Sequence, residues 1–188
     1  EELSPTLSNL ERCLCKWFCQ RLSLPNHAGG IAASGGSLSN LMALVVARHE
    51  AGLQSNSEVV LLASEDAHVS LSKAIRVMGL PNNALQKIPT NESGEISLSL
   101  LVDKLNELKN KGKKCFAVAA TLGTTVRGAI DPLISLSNIC KQEDIWFHID
   151  GAIGGIFALS QQTSSLTKGI SLANSITLNP QKLLGITK

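Results

Sequence analysis

The sequence predicts an α/β fold, a mostly parallel sheet with helices on both faces. Three observations lead there. Strand-length apolar runs alternate with amphipathic helical stretches along the 188 residues. The runs, such as Val59-Val-Leu-Leu62 and Phe116-Ala-Val-Ala-Ala120, are apolar at successive positions, as in strands covered on both sides. Chemically capable side chains fall just after four of the runs, where ligands of open parallel sheets bind.

The elements follow in order. Thr6 to Leu22 reads as a helix with Leu7, Leu10, Leu14, Trp17 and Phe18 on one broad face, ended by Pro25 and Gly29-Gly30. Ser34-Gly-Gly-Ser37 is a turn that opens a helix reaching about Ala51. Glu58 to Ala63 is a strand, Val69 to Met78 a helix stopped by Gly79, Ala84 to Ile88 a weak strand and Ile96 to Lys109 a helix. The second half repeats the rhythm: strand Cys115 to Thr121, helix to about Gln142, strand Ile145 to Ile149, strand Ser175 to Leu178. Asp131-Pro132 reads as an N-cap followed by proline at the first helical position.

Composition narrows the function classes. A formal charge of +2 and scattered Lys and Arg argue against a nucleic-acid surface. The one basic run, Lys109 to Lys114, has no interleaved aromatics and reads as a helix end. The first residues lack the basic and apolar regions of a signal peptide, and no apolar run reaches membrane-spanning length. Five cysteines without C-x-x-C spacing predict reduced thiols, as in a cytoplasmic protein.

The chemistry concentrates in three anchors. Lys182 follows the last strand and a proline turn, a place where an amine can be held to form an imine with an aldehyde. Asp150 ends the strand Ile145-Trp-Phe-His-Ile-Asp150 and can hold a protonated ring nitrogen. Ser34-Gly-Gly-Ser37 lets backbone amides and a helix dipole approach an oxyanion, although Ser37 could instead serve as a helix N-cap. An amine, a carboxylate and a glycine-rich helix start are the anchors that pyridoxal 5'-phosphate needs. His68 can lie flat on an aromatic ring, and Thr121 offers a hydroxyl or only a turn. His148 shares a strand face with Asp150, which leaves half of a metal site as a rival reading.

With these segments in view, the chain resembles the group II pyridoxal-phosphate-dependent amino-acid decarboxylases, the glutamate, aromatic-amino-acid, cysteine-sulfinate and diaminobutyrate enzymes. The resemblance runs through Ser34-Gly-Gly-Ser-Leu-Ser-Asn-Leu41, Asp66-Ala-His-Val-Ser70, Ala120-Thr-Leu-Gly-Thr-Thr125 with Gly128-Ala-Ile-Asp-Pro132, His148-Ile-Asp-Gly-Ala152 and Asn179-Pro-Gln-Lys182. It implies a fold type I large domain, like that of aspartate aminotransferase, over residues 1–188. It also implies an amino-acid substrate, a homodimer and no nucleic-acid or membrane partner. Lys182 would carry the Schiff base and Asp150 would pair with the ring nitrogen. His68 would stack on one ring face and Ala152 on the other, with Thr121 near the ring. Gly35, Gly36, Ser37 and Asn179 would hold the phosphate. Gly128-Ala-Ile-Asp-Pro132 and Ala173-Asn-Ser175 lean toward the glutamate and cysteine-sulfinate branch.

Three departures qualify the resemblance. Gln181 stands where the family has His, and Gly151 where it has Ala. The family's N-terminal segment and C-terminal small domain are not in these residues, so the large domain is expected to be incomplete and inactive alone. A non-catalytic or truncated relative, or an aminotransferase or lyase of the same fold, therefore stands beside the decarboxylase.

Overall fold

The computed structural model describes residues 4–186. Five parallel strands form one sheet in the order β2-β1-β3-β4-β5: β1 Val59–Ser64, β2 Leu85–Ile88, β3 Lys114–Thr121, β4 Trp146–Gly151 and β5 Ser175–Leu178. The helices are α1 Pro5–Arg21, α2 Gly36–Glu50, α3 Ser70–Val77, α4 Leu98–Asn110, α5 Leu133–Glu143 and the single turn α6 Pro180–Leu183. Every strand read from the sequence is present within a residue or two at each end.

The two-sided burial of the strands has a direct structural cause. Val59, Leu61 and Ala63 pack with Leu44, Ala47, Leu71 and Ala74 from α2 and α3. Val60 and Leu62, one residue out of phase, pack on the other face with Leu101, Leu105, Leu133 and Leu136 from α4 and α5. Successive side chains point to opposite faces, so each face has its own apolar set. In β3 the register jumps from Cys115 to Ala117 opposite Val60 and Leu61, leaving Phe116 as an extra residue. This bulge puts Phe116 in the same core as Ala117.

The structure corrects two local expectations and completes a third. Asp131 does not cap α5. Pro132 occupies the cap position, and the Asp131 carboxylate accepts from Ile96 N at 2.8 Å and Thr121 N at 2.7 Å. Those amides lie outside any helix and are otherwise costly to bury, so they hold the carboxylate. Ser37 is not an N-cap either, because Gly35 takes that position and Ser37 is the second residue of α2. Finally, the Leu7, Leu10, Leu14 and Trp17 stripe of α1 faces outward, with Leu7 66% and Leu10 54% exposed. Helical periodicity located that stripe but could not say which surface it meets.

The basic run behaves as a helix end. Lys109 pairs with Glu143, and Lys111 reaches Glu107 at 2.6 Å, one turn back along α4. All five cysteines are free thiols. The stretch between β4 and β5 folds into three short 3-10 turns, Gly154–Leu159, Ser164–Thr167 and Ile170–Leu172. None of the described helices is long and apolar enough to cross a membrane.

Candidate active site

Parallel strands that all point one way bring their following loops to one edge of the sheet. His68 follows β1, Thr121 ends β3, Asp150 lies near the end of β4 and Lys182 sits on α6 after β5. These four side chains, with Gly123, Thr125, Ala152 and Ile153, line one small pocket. The register explains part of this gathering, because Thr121, Asp150 and Thr177 are direct partners across three adjacent strands.

The glycine turn enters the same place from α2. A Cβ built on Gly36 would lie 3.3 Å from the Ala152 Cβ and 3.7 Å from both Asn179 Nδ2 and Thr177 Cγ2. Gly35 has φ 151° and ψ 169°, a region almost confined to glycine. A second tie comes from Thr177 Oγ1, which donates to Ser39 Oγ at 3.1 Å. The start of α2 is thereby held against the ends of β4 and β5, with Ser37 exposed and Asn179 half-buried beside it.

Asp150 is 5% exposed and forms no ion pair with any described residue. Its Oδ2 accepts from Asn40 Nδ2 at 2.8 Å and its Oδ1 from Ala152 N at 3.2 Å. The nearby His148 does not neutralise it. Burial pushes the His148 ring down to about 4, against the opposing pull of Asp150 and of the Ser175 backbone. The histidine is therefore neutral near pH 7, and the site presents a buried carboxylate that calls for a cationic partner. A protonated pyridine nitrogen meets that need, a neutral or anionic ligand does not.

His148 presents no free ring nitrogen to the pocket. Its Nδ1 is 2.9 Å from Ser175 Oγ and its Nε2 3.1 Å from Asn40 Oδ1, so both ring nitrogens are engaged within the protein. No group of three metal-ligating side chains occurs among the described residues.

Sequence reading missed Asn40, Ser70 and Ser175, which build the polar layer under the pocket. One signal was available for Asn40. It falls on the same face of α2 as the buried Leu44 and Ala47, four and seven residues on, and a polar side chain on a core stripe needs partners. Ser70 and Ser175 carry no such mark in sequence.

The residues present fit pyridoxal phosphate: an amine, a buried carboxylate with no cationic partner among the described residues, and a helix start with glycine at its first positions. Comparisons with known proteins agree. The pyridoxal-dependent decarboxylase conserved domain matches residues 1–188. The aromatic-L-amino-acid decarboxylase of Bacillus atrophaeus is 40% identical over 93% of this chain and 36% of its own length. The acidic amino acid decarboxylase GADL1 of Xenopus tropicalis is 34% identical over 97% of this chain and 37% of its own. The crystal structure of mouse CSAD in apo form superposes with a TM-score of 0.93 at 31% identity, over 98% of this chain and 40% of that one. The chain thus spans well under half the length of these relatives. With the fold, the pocket and these similarities in agreement, the chain belongs to the pyridoxal-dependent decarboxylase family.

Proposed function

We propose that this chain carries the cofactor-binding centre of a carboxy-lyase that decarboxylates an L-amino acid, and that residues 1–188 belong to its pyridoxal-phosphate-binding large domain. The observation that carries this reading is that Lys182 and Asp150 line one pocket with His68 and Ala152. Bound pyridoxal phosphate supplies an aldehyde and an electron sink for the pair released when a carboxylate leaves.

Each residue then has a task. Lys182 Nζ would supply the amine that holds the cofactor's aldehyde. Asp150, held by Asn40 and the Ala152 amide, keeps the ring nitrogen protonated. His68 and Ala152, both lining the pocket, would hold the ring between them, with Thr121 beside it. Gly35 and Gly36 leave the first amides of α2 open to the phosphate, joined by Ser37 and Asn179.

For the substrate side chain, the reading leans toward an acidic amino acid. Its support is the similarity to the acidic amino acid decarboxylase and to mouse CSAD. The relative that is 40% identical acts on aromatic amino acids, so a panel of both classes decides the lean. We further read the working protein as a cytoplasmic homodimer, which light scattering of the full chain checks.

Borohydride reduction of the full chain with pyridoxal phosphate should fix a phosphopyridoxyl mass on the peptide containing Lys182. Lys182→Ala should abolish that mass and lower carbon dioxide release on the order of 10³-fold or more. A label on another lysine, or undiminished release, overturns the reading.

A further inference from the structure

We propose that Asn40 is a positioning residue whose one side-chain amide orients Asp150, sets the tautomer of His148 and, through Ser70, orders His68. The proposal rests on Asp150 and His68 facing the cofactor ring. No contact of Asn40 with cofactor or substrate is needed, since it acts through its neighbours.

The amide spends every bonding atom. Asn40 is 1% exposed on α2. Its Nδ2 donates to Asp150 Oδ2 at 2.8 Å and to Ser70 Oγ at 2.9 Å. Its Oδ1 lies 3.1 Å from His148 Nε2. The orientation of the amide follows from chemistry, because an ionised carboxylate only accepts. Turning the amide over would set its oxygen against Asp150.

Proton positions then propagate outward. With Asn40 Oδ1 as acceptor, His148 must carry its proton on Nε2. Its Nδ1 is left to accept from the Ser175 hydroxyl at 2.9 Å, and Ser175 Oγ in turn accepts from Trp146 Nε1 at 2.8 Å. The tryptophan can only donate, so it anchors the far end. On the other branch, Ser70 Oγ accepts from Asn40, and its hydroxyl proton is free for His68 Nδ1 at 2.9 Å. That nitrogen also accepts from Ser70 N at 3.2 Å, which leaves the His68 proton on Nε2. Three fixed donors, the Asn40 amide, the Trp146 indole and the Ser70 backbone N–H, thereby define both imidazoles.

The chain of bonds joins α2, the start of α3, β4 and β5. Asn40, Ser70 and His148 are each at most 1% exposed, so water does not compete for these bonds. Solvation cannot restore a partner that substitution removes.

Histidine side-chain ¹⁵N NMR of the full chain, recorded without added cofactor, tests the proposal through three samples. Wild type should show His68 and His148 as Nε2–H tautomers. Asn40→Leu keeps the volume but removes all three bonds; His148 should become a tautomer mixture. Pyridoxal phosphate affinity of that variant should fall roughly 10- to 100-fold, the loss expected for a hydrogen bond to a charged group. Ser70→Ala should move the His68 Nδ1 signal and leave both His148 signals in place, which supports the branch order even where Asn40→Leu fails to fold. A purely Nε2-protonated His148 in Asn40→Leu, or a His148 disturbed as strongly as His68 by Ser70→Ala, overturns it. Absence of a borohydride-fixed adduct at Lys182 in wild type would instead overturn the cofactor reading and leave the tautomer result standing.

Discussion

Gly36 and Ala152 meet so closely that a Cβ added at position 36 would lie 3.3 Å from the Ala152 Cβ. The first turn of α2 therefore abuts the residue that follows β4, and the approach is open only because one partner is glycine and the other alanine. This contact joins the proposed phosphate end of the site to its ring end.

Gly36→Ala should lower pyridoxal phosphate affinity about tenfold, equivalent to about 1.4 kcal/mol, while the melting midpoint changes by only a few degrees. The new methyl needs a shift of a few tenths of an ångström, and alanine favours the helix. Gly35→Ala should differ by losing about 1–3 kcal/mol of stability as well, because its backbone region is almost confined to glycine. Fluorescence titration with pyridoxal phosphate and thermal melts separate the two. Equal stability loss in both variants would contradict the assignment.

Asp150→Asn should keep the Lys182 adduct but slow carbon dioxide release by roughly 10²- to 10³-fold, the scale of a lost preorganised electrostatic partner. An amide can still meet Asn40, yet it cannot hold a proton on a ring nitrogen. Mass spectrometry after borohydride measures the first effect and single-turnover release the second.

Two buried groups tilt stability in opposite directions with pH. Burial pushes the Asp131 carboxyl up to about 6, against the Thr121 and Ile96 amide bonds that favour its charged form. Between about pH 4 and 6 the folded chain holds an Asp131 proton that the unfolded chain has released, so stability from this group falls as pH rises. His148 is pushed down to about 4 by burial. Below about pH 6.5 the unfolded chain gains a proton there that the folded chain lacks, so stability falls as pH drops. Asp131→Asn removes the first slope and keeps the second. Unfolding free energies from urea titrations between pH 6 and 4.5 should then fall more steeply than in wild type, by about 1–2 kcal/mol over the interval. Parallel wild-type and variant curves would remove Asp131 from this balance.

The Cys115 and Cys140 thiols are both pushed up to about 12, chiefly by burial. At pH 8 only about one molecule in 10⁴ would carry either thiolate, and the thiolate is the nucleophile. Iodoacetamide at that pH should leave both cysteines unmodified in the folded chain and label them after denaturation. Peptide mass mapping reads the difference, and rapid labelling of the buried Cys140 in the native protein would contradict its burial, while Cys115, only half-buried, tests the raised pKa alone.

Most of the architecture was legible because its causes are local. Val59 to Ala63 and Phe116 to Ala120 announce doubly covered strands by composition alone. Lys111 behaves as part of a helix end because its partner Glu107 lies one turn back. The stretch from Gly154 to Leu172 was not read, since short 3-10 turns carry no apolar period. Asp131 was misread for a related reason. Asp-Pro before an apolar helix is a cap signal, and nothing local shows that Ile96, 35 residues away, competes for the carboxylate.

For the pocket, sequence order alone placed His68, Thr121, Asp150 and Lys182 at or just after the ends of four of the five strands, and parallel strands bring such positions to one edge. Chain alternation and strand-end chemistry are properties of neighbouring residues, so they survive without coordinates. What folding added is the joining of distant ones: Asn40 to Asp150 across 110 positions, Thr177 to Ser39 across 138, and the outward face of α1. Those contacts depend on strand register and helix docking, which arise from packing the whole core, and no local pattern encodes them.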